Sequence, residues 1–140
     1  MPLQLSFLKQ YFVTVVATWG NRGIDIFLQT IWLDFILPPA YAVLLASFYA
    51  YLNAGSDEEQ KEIKRKDLIH FTLPFIAALC DYLENTAHIV ILSYRWFFDS
   101  LILAGSVMAL AKWAIAAYMV FVIITQYLRS MRRNAQDNVT

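Results

Sequence analysis

Residues 101–128 read LILAGSVMALAKWAIAAYMVFVIITQYL, and Lys112 is the single charged side chain in them. The first ten show none of the apolar-polar alternation of a barrel strand. At about 1.5 Å per residue, a helix of this length crosses a hydrocarbon core of about 30 Å. Backbone groups in lipid must be satisfied within their own segment, so the stretch reads as a spanning helix.

Two other stretches behave in the same way. No charge falls between Asp34 and Asp57, which gives a first span over about 32–52, and a second apolar run covers about 70–93. Of the 140 residues 59% are hydrophobic and only 16% charged, against about 25% charged in soluble domains. That composition excludes a multi-domain soluble protein and a disordered chain. Zero net charge argues against a nucleic-acid surface, and the lone Cys80 excludes a disulfide scaffold. The expected fold is all-α: an integral membrane bundle of three transmembrane helices within 23–128, the third over about 101–128.

Ahead of the bundle, Leu5, Leu8, Phe12, Val15 and Trp19 recur at helical spacing among Gln4, Lys9, Gln10, Thr14 and Thr18, until Gly20 to Gly23 interrupts them. Residues 1–22 therefore read as an amphipathic helix lying in the interface, and not as a signal peptide. The loop 53–67 is strongly charged; Ser56 and Glu59 signal a helix start, and Glu58, Glu62, Lys61 and Lys66 set up pairs one turn apart. This loop reads as a solvated connector carrying a short surface helix. The polar tail 129–140 is expected to fray beyond Arg133.

Basic residues near the spans set orientation. Lys61, Lys64, Arg65 and Lys66 share a side with Arg129, Arg132 and Arg133, while Lys9, Arg22 and Arg95 lie on the other. Seven against three places the first loop and the C-terminus in the cytoplasm and the N-terminus outside. Trp32, Tyr94 and Trp96 mark the outer boundary; Tyr49, Tyr51 and Tyr127 mark the inner one.

An ionisable side chain at the bilayer centre costs about 2.5–3.5 kcal/mol on insertion scales, so each one inside a span asks for a partner or a role. Asp34, Asp81, Glu84, His88 and Lys112 are such residues. Asp81, Glu84, Asn85 and His88 follow at i, i+3, i+4 and i+7, which stacks them on one helical face continued by Pro74, Ala77 and Ala78. Asp81 and Lys112 fall at similar depth in antiparallel neighbours, which predicts an ion pair; Asp34 and His88 share a level nearer the outside. The short turn 95–98 forces the second and third helices together, and Ala104, Gly105, Ala109 and Ala116 permit close approach. His70 reads as an interfacial residue and Cys80 as a small packing residue.

Three carboxylates face one lysine and one histidine. At least one carboxylate must be protonated, hold a cation or meet a group from another chain. Three readings follow: a structural network with a protonated Glu84, a proton or cation site, and a transition-metal site built from Asp81, Glu84 and His88. Pro38 and Pro39 predict a kink or local opening just inside the outer boundary, since Pro39 lacks a backbone donor and disfavours helical geometry before it. The freed carbonyls beside Asp34 are candidates to coordinate a cation or water.

Leu33-Asp34 ahead of a proline and Tyr41, Leu73-Pro74, Asp81-Tyr82-Leu83-Glu84-Asn85 and then Lys112-Trp113 form an ordered set. In that order the chain resembles a group of small uncharacterised bacterial multi-pass membrane proteins over roughly residues 20–128. The resemblance implies the fold, a shared polar centre and, with the orientation above, a bacterial inner-membrane location; it implies no activity. The double proline and His88 depart from the group's pattern.

Two classes of function remain. One is a non-enzymatic accessory or assembly subunit whose partners are the lipid bilayer and other membrane subunits or further copies of itself. The other is a working site, as proton relay, cation carrier or metalloenzyme. The sequence carries no nucleophile elbow, phosphate loop or paired zinc-binding histidines, and it identifies no cofactor.

Overall fold

The computed structural model describes residues 3–54 and 65–137, with side chains for 3–53 and 67–132. It holds four α-helices: α1 (Lys9–Thr30), α2 (Leu37–Ala54), α3 (Arg65–Tyr94) and α4 (Asp99–Asp137), with 3-10 turns at Leu3–Leu5 and Leu33–Phe35. No strand occurs among the described residues. Three helical stretches, Lys9–Asn53, Asp67–Tyr94 and Asp99–Arg132, are long and apolar enough to cross a membrane. Within the first, α2 is the uncharged portion.

The bundle is organised around α3. Its buried positions, Pro74, Ala77, Ala78, Asp81, Glu84, Asn85, His88, Ile91 and Leu92, repeat every three or four residues as one helical face requires, with Ala87 buried beside them. Both α2 and α4 pack against that face. They present mostly small groups to it, Ala42 and Ala46 from α2 and Gly105, Ser106 and Ala109 from α4. Without a hydrophobic force between helices in lipid, such close approach supplies the packing.

The turn between α3 and α4 sets their register. Arg95 adopts a left-handed conformation (φ 56°), and the Trp96 amide donates to the Ile91 carbonyl at 3.1 Å. This is a Schellman end to α3, here without the usual glycine. The chain then reverses within four residues, and Asp81 lies thirteen residues before Tyr94 just as Lys112 lies thirteen after Asp99. Antiparallel helices joined so tightly place the two at one level.

The double proline follows a break between α1 and α2. Residues 31–36 form turns and 3-10 structure, and Pro38 and Pro39 stand in the first turn of α2. Proline is tolerated there because first-turn amides have no intrahelical acceptor. The two missing N–H groups would otherwise have met the carbonyls of Asp34 and Phe35, four residues earlier. Those carbonyls instead accept from α3: Asn85 Nδ2 lies 3.4 Å from the Asp34 oxygen, and Tyr82 donates its hydroxyl to the Phe35 oxygen at 2.9 Å.

The N-terminal region is a broken helix. Gly20 has φ 62° and ψ −174°, a region open essentially to glycine alone. At Gly23, a Cβ would stand 2.7 Å from the Cβ of Trp19, so both glycines serve the bend. Its consequence is visible at His88, where the rings of Phe12 and Phe27 lie 6.0 and 6.3 Å away by centroid. A straight helix would separate fifteen residues by about 22 Å. Phe12, Val16 and Ile24 join Leu3, Ile91, Leu92 and Ile102 in an apolar cluster, so this segment covers the turn end of the bundle. Leu5 and Leu8, expected on its apolar stripe, are exposed, because they precede α1 and do not share its face.

Two boundaries also differ. α4 remains helical to Asp137 instead of fraying beyond Arg133, and α3 begins at Arg65, inside the expected loop. The surface helix expected from Ser56 and Glu59, with its charge pairs, lies outside the described residues.

Candidate functional site: a buried polar centre

At mid-height α3 and α4 bring four of the expected residues into one layer. Lys112 Nζ lies 2.8 Å from Asp81 Oδ1 and 2.7 Å from Glu84 Oε2, with all three side chains buried. The Asp81 contact is a hydrogen bond, whereas the Glu84 contact is an ion pair outside hydrogen-bond angles. Glu84 is fully buried, and the Lys112 ammonium is the cationic partner of its carboxylate. Asn85 Nδ2 reaches Asp81 Oδ1 at 3.5 Å, and the Tyr41 hydroxyl donates to Asp81 Oδ2 at 3.3 Å.

His88 lies one turn beyond Glu84, with Nδ1 4.0 Å from Glu84 Oε1. Gly105 faces it from α4; a Cβ there would stand 4.0 Å from His88 Nε2. Phe12 and Phe27 close its other sides. Asp34 meets the layer through its backbone, and its side chain forms no ion pair with His88 or Lys112. The expected common level of Asp34 and His88 therefore brings no contact between their side chains.

A metal is poorly accommodated by this geometry. The Lys112 ammonium occupies the space between Asp81 and Glu84, and no three His, Cys, Asp or Glu side chains among the described residues are arranged to hold one ion. Cys80 is partly buried and unpaired.

A second polar layer lies nearer the other end. The Tyr49 hydroxyl donates to Asp67 Oδ1 at 3.1 Å and stands 3.4 Å from His70 Nδ1, while His70 Nε2 is 2.9 Å from the Tyr118 hydroxyl. The His70 imidazole lies between the Tyr49 and Tyr118 rings, 5.4 and 5.8 Å from their centroids. Asn53 donates to the Tyr49 carbonyl at 2.9 Å and lies 3.5 Å from Gln126 Oε1. Tyr49 is buried and His70 half-buried, so these two residues also join α2, α3 and α4 near the end where the sequence places the inner boundary. Tyr41 and Tyr82 also escaped the reading of charges. The available signal was spacing: Tyr41, Tyr49 and Asn53 fall near one face of α2 with buried Ala42 and Ala46.

No protein-family model, curated protein or solved structure matches this chain.

Proposed function

We propose that this chain is a non-enzymatic accessory or assembly subunit of a membrane complex, held together by a buried Asp/Glu/Asn/Lys network. The observation that carries the reading is the pairing of Lys112 with both Asp81 and Glu84. The ionisable groups of the core are turned on one another, where they offset the cost of burial in lipid. The outward faces are apolar: Leu79 and Leu83 on α3, Val120, Phe121 and Ile124 on α4 are all exposed, leaving a thin bundle much lateral surface for other helices. Purification in a mild detergent followed by native mass spectrometry tests the role. A defined partner or a stoichiometric self-assembly supports it; a bare monomer at every protein-to-detergent ratio refutes it.

The proposed setting is a bacterial inner membrane, N-terminus outside and C-terminus in the cytoplasm, with part of the N-terminal helix in the interface. Seven basic residues against three support that orientation. A C-terminal reporter accessible from outside would refute it.

One observation favours a second reading, a proton- or cation-handling protein. Glu84 is fully buried and shares the single Lys112 ammonium with Asp81, so the layer holds one carboxylate more than that cation neutralises. In proteoliposomes this reading requires a flux that Glu84→Gln abolishes while leaving the fold intact; equal flux in the two proteins rules it out.

A further inference from the structure

A pocket of about 640 Å³ opens beside the polar centre, with α2 on one side and α4 on the other. Its size falls in the range of sites for small organic molecules, about 300–1,000 Å³. Leu37, Leu44, Leu45, Trp113 and Ala116 form apolar walls; Leu37, Leu44 and Trp113 are exposed, so the mouth faces sideways between the two helices. Asp34, Tyr41, Asp81, Asn85 and Lys112 supply the polar side, together with Gln4 from the N-terminal turn.

The hydrogen-bond inventory of that polar side indicates what fits. Its donors beside the carboxylates are engaged, Lys112 with two carboxylates, Asn85 Nδ2 with the Asp34 carbonyl and Asp81, and the Tyr41 hydroxyl with Asp81, while Gln4 and Trp113 at the rim add an amide and an indole N–H. Its acceptors are in surplus. The Asp34 carboxylate borders the pocket without a hydrogen-bond or ion-pair partner among the described residues, and the Asp81 oxygen distal to Lys112 accepts only the long Tyr41 bond. Counting Glu84, three carboxylates stand around one ammonium. An anionic ligand would leave these acceptors unmet and add like charge, a neutral hydroxyl would donate a hydrogen bond without answering the charge, and a cation with N–H groups would answer both.

Depth narrows the class. Lys112 stands thirteen residues into α4, about 20 Å along its axis, well inside the span and away from lipid headgroups. A group carrying phosphate would be poorly solvated there, and a compact amine with an apolar body would not. We propose that this pocket binds a small hydrophobic ammonium ion, its nitrogen toward Asp34 and Asp81 and its apolar body against Leu44, Leu45 and Trp113. The inference stands on the pocket alone and is independent of whether the chain serves as a subunit.

Calorimetric titration of the full chain in phosphatidylcholine nanodiscs, with empty nanodiscs as blank, tests it using three rigid probes of one shape: 1-aminoadamantane, 1-adamantanol and 1-adamantanecarboxylate. The amine is expected to bind saturably and at least tenfold more tightly than the alcohol, with the carboxylate not binding. Asp34→Asn should weaken the amine about tenfold and leave the alcohol unchanged. Ala116→Phe, which fills the pocket from α4, should abolish amine binding with helical circular dichroism preserved. Absence of saturable amine binding, equal affinity for amine and alcohol, or amine binding indifferent to both substitutions would overturn the proposal.

Discussion

The two polar layers solve the same problem with different chemistry. Near Tyr49, hydroxyl, imidazole and amide groups join α2, α3 and α4, and Asp67 is the single ionisable carboxylate among the described contacts there. Around Lys112, full charges are buried together with more carboxylates than the one ammonium can neutralise. Neutral hydrogen bonds add modest stability, about 0.5–1.5 kcal/mol each, and leave little unmet when well placed. Buried charges are costly to enclose and costlier to strand. The first layer is therefore suited to cohesion, while the second combines cohesion with a surplus that a ligand or proton can answer.

Removing the ammonium should break this contrast most strongly. Lys112→Met leaves Asp81 and Glu84 enclosed without their cation and is expected to cost about 3–5 kcal/mol. Adding Asp81→Asn should recover much of that loss, because the stranded negative charge is halved. Reversible unfolding in mixed micelles measures both; a double variant no more stable than the single one would show that the pair is not a coupled unit.

The cover over His88 distinguishes the layers in a second way, since Phe12 and Phe27 close the charged layer alone. Gly20→Ala forces a Cβ into a conformation costing about 1–3 kcal/mol, and the bend that seats both rings should loosen. Amide hydrogen exchange is expected to quicken over 84–92 and remain unchanged over 67–73. Uniform quickening would mean that the N-terminal segment supports the whole bundle.

Much of the charged layer was legible in the sequence because charge inside a span is conspicuous and the short turn 95–98 fixes depth. Asp81 and Lys112 are equidistant from that turn, so their meeting follows from counting. The neutral layer was not legible. Tyr49 and His70 stand near the ends of apolar runs, where aromatic residues ordinarily mark the membrane boundary, and nothing in residue type separates the two roles. The contacts of Tyr49 decide it, since it is buried, and its burial depends on how α2 packs. The double proline leaves a choice open for a related reason. A missing donor signals either a kink or a helix start, and the choice rests on whether Asn85 and Tyr82 are present to take up the orphaned carbonyls.

Tyr49→Phe probes the neutral layer at a smaller scale. It deletes the hydroxyl donated to Asp67 while keeping the ring against His70, and the expected cost is about 1 kcal/mol, well below that of Lys112→Met. A loss as large as that at Lys112 would erase the energetic distinction between the layers.

The smallest effect is expected at Arg95, whose side chain ties the turn to the N-terminal cover through a 2.8 Å bond to Asn21 Oδ1. Both groups are exposed, so the tie contributes little in solvent, and the buried contacts of Phe12, Val16, Leu92 and Ile102 carry the attachment. The backbone matters more, because φ of 56° is unfavourable for any residue with a Cβ. Arg95→Ala loses the tie and keeps the strain; Arg95→Gly loses the tie, relieves the strain and adds unfolded-state freedom worth about 0.4–1 kcal/mol. The glycine variant should therefore lie within about 0.5 kcal/mol of the parent and be at least as stable as the alanine variant. A glycine variant clearly below the alanine one would show that the left-handed turn stores no strain, whereas an alanine variant well below the parent with glycine equally low would show that the cover depends on its polar tie.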